Sequence, residues 1–482
     1  METIHFKTVD PVSQDLLRGA AQKGLSLNWE RYEKQQPQDG FLRLGLSCPY
    51  GCMQGPCRID PYGRGAQRGI CGMDRDTMAA AFLLRLALQG VLEMGPASAA
   101  KGDRIVWPAS LDKKASAALK KFGTVPLSLQ EITASAAMLS RPGASPAALI
   151  AQALRLGLIG VAVAGRKRPT KAGSMACRIG YGLFAGKAIR IGLAGRIPAG
   201  LVQSLQKLAS GKKKPEVQLL SLGDWIPAGQ TFLPIACTSG EAETVLSSGG
   251  INLLLAGPGS DPGLAALCIR TDIPFASVAD NPKAAVLIAR ARTAFERPSP
   301  SAFTPEASLV GDARVTIGEA DIAAALKGAS PAKIALIGGA DTLFQSFGHL
   351  PVEMAKALIG EKMGVAAWGD AALWMIKQNL PAMVLEAEEG PLAAVKALAA
   401  AGKLAKLKGV CFTGLKGCRD FTLALGLAAL GLKVLVAVPL PLWGSETLLA
   451  RLRKSLAAAG GTLAHFDHPA QSDEILDWFL RA

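Results

Sequence analysis

Two rhythms of apolar and polar positions divide the chain. Up to about Lys187 the apolar residues recur at helical spacing. "DTMAAAFLLRLALQGVLEMG" (Asp76 to Gly95) and "SPAALIAQALRLGLIG" (Ser145 to Gly160) are the clearest cases. From Ala188 the pattern changes to short apolar runs, each followed by a glycine-containing turn and a helical stretch: "AIRIGLAG", "LPIACTSG", "INLLLAGPG" and "IPFASV". A polar, proline-rich stretch from Glu296 to Asp312 interrupts the series and reads as a linker. A second series then runs through "KIALIGGAD", "GVAAWGD", "AMVLEAEEG", "GVCFTG" and "KVLVAVP". Strands alternating with helices predict parallel sheets covered on both faces. The expected fold class is therefore α/β multidomain. An N-terminal helical domain (1–187) precedes two doubly wound, Rossmann-like α/β domains (188–310 and 311–482).

The most apolar stretch, Phe421 to Trp443, is long enough to suggest a membrane span. Lys433 splits it and Pro439 and Pro441 end it, so it reads as a buried helix (421–432) feeding a buried strand (434–438), with no membrane span expected. The opening "METIHFKTVDPVSQD" is polar and has no apolar run of the secretory kind, which predicts a cytoplasmic protein. In that compartment thiols stay reduced, and clustered cysteines point to metal rather than disulfides.

Composition adds little. At 482 residues the chain exceeds a single core, and 50% hydrophobic with 19% charged residues excludes a disordered one. The net charge of +15 is compatible with nucleic acid, an anionic surface or an acidic protein partner. Its densest runs, Gly165 to Lys171 and Gly211 to Pro215, lack interleaved aromatics and a nucleic-acid motif. They read as solvated loops, with no nucleic acid expected and an acidic redox partner as the sharper alternative. The glycine-rich turns "LAGPGSDPG" and "IGGAD" do not complete a G-x-G-x-x-G pattern, and tight strand-to-helix turns account for them.

The chemistry sits in "CPYGCMQGPCRIDPYGRGAQRGIC", where Cys48, Cys52, Cys57 and Cys71 are spaced C-x3-C-x4-C-x13-C. Structural zinc favours two short pairs set apart. A compact triplet with one remote thiol suits an iron–sulfur cubane, and the surrounding glycines let backbone N–H groups reach the sulfurs. Spacing alone leaves both metals open.

"GCMQGPCRIDPYGRGAQRGICG" followed by "DTMAAAFLLRLALQG" resembles the amino-terminal segment of the anaerobic nickel-containing carbon monoxide dehydrogenases, of the hybrid-cluster protein superfamily. The resemblance implies that Cys48, Cys52, Cys57 and Cys71 ligate one [4Fe-4S] cluster that exchanges electrons with an external ferredoxin. One extra residue separates the first two cysteines. Further segments resemble the family too: "AGSMACRIGYGLFAG", "LPIACTSGEAETVLSSGGI", "GLAALCIRTDIPFASV" and "GPLAAVKALAAAGKLAKLKGV".

The departures are as informative. Two family cysteines that let paired subunits share a bridging cluster correspond to Asp39 and Ser47. The family's nickel–iron–sulfur centre takes five cysteines and one histidine. Cys237 and Cys418 match two of the cysteines and form a candidate remnant metal site. The histidine falls at Ala194 or Arg196, and other thiols fall near Gly259 and in "LPLWGS". The family's proton-relay histidines have no counterpart in "VLEMGPASAAKGD". His465 and His468, beside Asp467, read as a solvated loop, and Cys177, Cys268 and Cys411 as buried apolar residues.

The expectation is a carbon monoxide dehydrogenase-like iron–sulfur protein without nickel, acting as an electron-transfer or partner-binding subunit. Its partner would be a ferredoxin or another acidic redox protein, and a homodimer or a heteromer with a related enzyme fits the resemblance. Two alternatives remain. One is an active oxidoreductase, oxidising carbon monoxide or reducing a small molecule near Cys237 and Cys418. The other is a docking module with a structural cluster.

Overall fold

The computed structural model describes residues 6–35, 40–96, 100–122, 127–166, 174–211, 214–296, 311–316, 322–324, 333–385, 390–466 and 472–481. Residues 167–171 and 212–213 of the basic runs, 297–310 of the proline-rich stretch, Asp39, Asp467 and His468 lie outside them.

Three helices build the helical layer: α1 (Arg75–Met94), α2 (Pro146–Arg166) and α3 (Cys418–Ala429). Asp74 caps α1 by accepting the Thr77 N–H at 2.9 Å, and Gly95 ends it in the left-handed region at φ +75°. α1 and α2 are long and apolar enough to cross a membrane. Here they pack against each other and against α3 in the largest core cluster. Small residues let the backbones meet: a Cβ on Gly157 of α2 would lie 2.9 Å from the Gly426 nitrogen of α3.

Besides a two-stranded ribbon (Ala100–Lys101 with Arg104–Ile105), the described strands form one 15-stranded sheet, thirteen along one path and two, Pro227–Ala228 and Thr231–Phe232, as an antiparallel hairpin beside it. Its first half uses β1 (Ser174–Ile179), β2 (Ile189–Ala194), β3 (Val217–Leu222), β4 (Ile235–Cys237), β5 (Leu253–Ala256) and β6 (Phe275–Ser277). The second uses β7 (Gly311–Thr316), β8 (Ile334–Gly339), β9 (Gly364–Trp368), β10 (Met383–Leu385), β11 (Leu407–Phe412), β12 (Lys433–Val436) and β13 (Thr462–His465). Spatial order is β6-β5-β2-β3-β4-β1-β7-β10-β9-β8-β11-β12-β13. Each half is parallel. The halves join through one antiparallel pair, β1 with β7, in register from Gly311 opposite Ile179 to Thr316 opposite Ser174. Central strands such as β2 and β8 are buried along their whole length, as strands covered on both faces must be.

The α/β expectation holds, with two differences at its edges. β1 falls inside the span read as helical, and Gly311 and Asp312, read as the end of a linker, begin β7. The apolar stretch after Phe421 is a helix and a strand, as its pattern indicates.

Candidate functional site

The cysteine segment lies on the surface ahead of α1. Cys52 and Cys71 are exposed, and Cys48 and Cys57 are half-buried. The loop closes on itself through the Cys48 N–H donating to the Cys57 carbonyl at 2.8 Å. Two backbone N–H groups reach sulfur: Gln54 to Cys52 Sγ and Ile70 to Cys57 Sγ, each at 3.4 Å. Gly69 packs flat against Cys57; a Cβ there would sit 3.6 Å from its sulfur.

Electrostatics place the four thiols together. The Cys48 thiol is pushed up first by burial and then by Cys57, Cys71 and Cys52, so each further thiolate opposes its ionisation. A thiol that resists ionising beside three other cysteines is what a cationic metal group relieves. Tyr50 adds a second sign. Its hydroxyl is buried without a hydrogen-bond partner and is pushed up by burial, then by Cys48 and Cys71. A buried unpaired hydroxyl is costly, and it is spared when a neighbouring group accepts its proton. Among the described residues no three Cys, His, Asp or Glu side chains converge on a single ion. Four thiols in one segment, two of them reached by backbone N–H groups, are a donor set of the kind that iron–sulfur groups take. Ser47, at a bridging-cysteine position, has a buried Oγ without a partner and offers no thiolate.

The second site is a cleft of about 370 Å³ at the carboxyl ends of strands from both halves. Crevices at such strand ends are where open α/β sheets bind ligands. Arg196 follows β2, Asp224 follows β3, Gly259 follows β5, Asp370 follows β9 and Lys416 follows β11; Glu93, near the end of α1, closes one side. Lys416 donates to Asp224 Oδ1 at 2.8 Å, and Asp224 Oδ2 accepts the Gly195 N–H at 2.6 Å. The Lys416 ammonium is held above its ordinary range because Asp224, Asp370 and Asp420 outweigh its burial.

The cleft contains the Arg196 and Gly259 positions that the resemblance assigns to the nickel centre. Neither Cys237 nor Cys418 is among its lining residues. Cys237 is 1% exposed at the end of β4, and its thiol is pushed well up by burial and then by Glu241. Cys418 opens α3 with its sulfur 3.5 Å from Gln89 Oε1, and is pushed up by burial and Glu93. Cys418 sits between Gly417 and Arg419, which line the cleft, while Cys237 is turned into the core. Cys177, Cys268 and Cys411 are buried, with the first two thiols pushed up to about 12 by desolvation. His465 differs from its reading as a loop residue: it ends β13, buried, with its ring 4.9 Å from that of Trp443.

Beneath the cleft lies a polar seam that the sequence did not announce. Thr238 Oγ1 bonds Asp341 Oδ2 across the two halves and contacts Glu241 Oε2 at 3.1 Å. Asp370 accepts from the Ser239 N–H at 3.0 Å, the Ser239 hydroxyl and the Asp341 N–H at 2.9 Å. Lys377 donates to Asp10 at 2.7 Å and to both Glu241 oxygens at 2.9 and 3.0 Å. The available signal was acids two to four residues past a strand, in "CTSGE", "GGAD" and "WGD".

Comparison with known proteins agrees with this architecture. No family model matches the chain. The carbon monoxide dehydrogenase 1 of Methanosarcina mazei is 47% identical over 89 residues, 18% of this chain and 14% of that enzyme. Carbon monoxide dehydrogenase 1 of Carboxydothermus hydrogenoformans is 48% identical over 83 residues, 17% and 13% of the two chains. The matched part of the chain thus spans about one-seventh of these relatives' length. Solved structures extend the likeness to the whole fold. Carbon monoxide dehydrogenase IV from C. hydrogenoformans superposes with a TM-score of 0.79 at 17% identity, over 99% of this chain and 98% of that one. A nickel-free carbon monoxide dehydrogenase from Thermococcus sp. AM4 gives 0.80 at 16% identity, over 100% and 99%. The chain is thus similar in sequence to carbon monoxide dehydrogenases over one short segment and shares their fold throughout.

Proposed function

We propose that the chain is a cytoplasmic, carbon monoxide dehydrogenase-like electron-transfer subunit. It would carry one [4Fe-4S] cluster on Cys48, Cys52, Cys57 and Cys71 and no nickel centre. The observation that carries this reading is a contrast: four mutually interacting thiols in one surface segment, and a cleft with no cysteine or histidine among its lining residues. The cluster would supply one-electron storage near the surface. The chain's own residues hold its sulfurs, donate N–H groups to Cys52 and Cys57, and keep Tyr50 beside them.

The segment also suits a protein partner. Met53, Tyr62 and Ile70 are 98%, 77% and 70% exposed around the exposed Cys52 and Cys71, with Arg64 and Arg68 exposed beside them. Apolar side chains within a basic surround favour an acidic redox protein of the ferredoxin kind. A homodimer, or a heteromer with a related enzyme, would use the same exposed face.

Anaerobic metal and sulfide analysis with EPR before and after dithionite tests the reading. About four irons with sulfide, one reducible cubane signal and no nickel are expected. Nickel, or substantially more iron, would overturn it. Electron transfer from reduced ferredoxin, or to oxidised ferredoxin, should slow as salt rises; a rate indifferent to salt would remove the acidic-partner element.

A further inference from the structure

The cleft between the two halves does not fit the metal centre that the family resemblance implies, and its side chains describe another occupant. A nickel–iron–sulfur group needs thiolates, which are absent from the lining; Arg196 and Gly259 stand at positions assigned to ligands. What remains is a volume of about 370 Å³, within the range of small-molecule sites, at the strand ends where such sites form.

An inventory of charged groups separates frame from ligand face. Asp224 is engaged by Lys416 and by the Gly195 N–H. Asp370 is filled by three donors from Ser239 and Asp341. Asp420 Oδ2 accepts the Lys416 N–H at 2.8 Å. These carboxylates hold the walls. Arg196 and Glu93 are different. They face each other from β2's turn and the end of α1 at 3.7 Å, beyond hydrogen-bond reach, with side chains 57% and 43% exposed. Such an exposed pair contributes little by itself. It leaves the guanidinium's planar fork and both Glu93 oxygens available for a guest.

The sign of the guest follows. A purely anionic guest at Arg196 would meet Glu93, and beyond it Asp224 and Asp370. A purely cationic one would meet Arg196, Lys416 and Arg419. A molecule with both an oxyanion and an ammonium satisfies the two sides at once. Trp225, Trp368 and Ile197 give it an apolar wall. We propose that the cleft binds a small dipolar metabolite of the amino-acid class, with its carboxylate on Arg196 and its ammonium on Glu93. This goes beyond the electron-transfer reading and does not depend on it.

The test is calorimetry on the purified, metal-analysed full chain with L-phenylalanine and L-leucine as probes. N-acetyl-L-phenylalanine supplies only the anion and phenethylamine only the cation. At least one amino acid should bind, with the one-charge analogues at least ten-fold weaker. R196Q and E93Q should each weaken amino-acid binding at least ten-fold. Both positions are exposed, so unchanged circular dichroism and iron content will show that fold and cluster survive. Absence of amino-acid binding, equal binding of a one-charge analogue, indifference to both substitutions, or one nickel per chain would each overturn the proposal. Iron and sulfide content, read in the same samples, reports on the electron-transfer reading separately.

Discussion

Lys377, from the helix that follows β9, places its ammonium 2.9 Å from Glu241, which follows β4 in the other half of the sheet. The lysine side chain is 7% exposed and the glutamate 1%. The same ammonium holds Asp10 at 2.7 Å, and Ser13 donates to Glu241 at 2.5 Å, so the amino-terminal helix is tied into the junction. Three separate parts of the chain therefore depend on one buried cation.

Lys377→Met should be strongly destabilising. It removes the partner of two carboxylates that stay buried, and breaking one side of a buried pair costs about 3–5 kcal/mol. Chemical denaturation at neutral pH will read the loss. The lysine's pKa is raised in the folded protein because Glu241 and Asp10 outweigh burial. Its contribution is therefore complete below the ordinary lysine value and is lost as pH rises through the higher folded one. The gap between native and variant protein should narrow in strongly alkaline solution.

Asp341 gives a dependence of the same sign in a lower pH window. Burial, then Asp370, holds its carboxyl well above the ordinary 3.8, while Trp374 Nε1 donates to its Oδ1 at 2.8 Å. The unfolded chain releases that proton near 3.8 while the folded chain keeps it. Folding stability from this group thus falls as pH rises from there toward the folded value. Asp341→Asn keeps an acceptor for Trp374 and removes the titration. The variant should gain stability relative to the native protein as pH is raised from 4 to 7. Paired urea titrations will measure this, and a constant difference across that range would contradict it.

Much of the fold was legible because period and punctuation agree. The apolar runs at Ile189, Leu253, Ile334 and Val434 each stop at a turn and become buried strands. The cysteine segment stands out in the sequence because its four thiols lie within twenty-four residues. Other features depend on distant partners. No local pattern shows that β1 and β7, 132 residues apart at the Ile179–Gly311 pairing by number, join two parallel halves into one sheet. Nor does it show that α3, from the last third of the chain, completes the core of α1 and α2. The seam was hidden for the same reason: Thr238, Asp341 and Lys377 each look like ordinary turn or helix residues until the halves meet.

The contact between α2 and α3 is set by two glycines facing one another. A Cβ at Gly157 would approach the Gly426 nitrogen to 2.9 Å, and one at Gly426 would collide with the Gly157 carbonyl. Either Gly→Ala substitution must move a helix, and overpacking of this kind costs about 1–3 kcal/mol. The two should not add. Once the helices have separated for one methyl, the second has room, so the double variant should lose less than the sum. A double-mutant cycle from urea midpoints tests this, and simple additivity would show that the backbones do not share one contact.

Tyr50 offers a probe of the cysteine segment that leaves every thiol in place. Its ring is buried, its hydroxyl has no hydrogen-bond partner, and Cys48 and Cys71 both act on its ionisation. If the hydroxyl donates toward a cluster held by the four cysteines, it stabilises the more negative, reduced state. Tyr50→Phe keeps the packing and removes that donor. The variant should retain its iron and sulfide while its reduction potential moves to a more negative value, measured by an EPR-monitored redox titration. An unchanged potential with full iron would mean that the hydroxyl faces away from the sulfurs. Loss of iron would mean that Tyr50 holds the loop rather than tunes it.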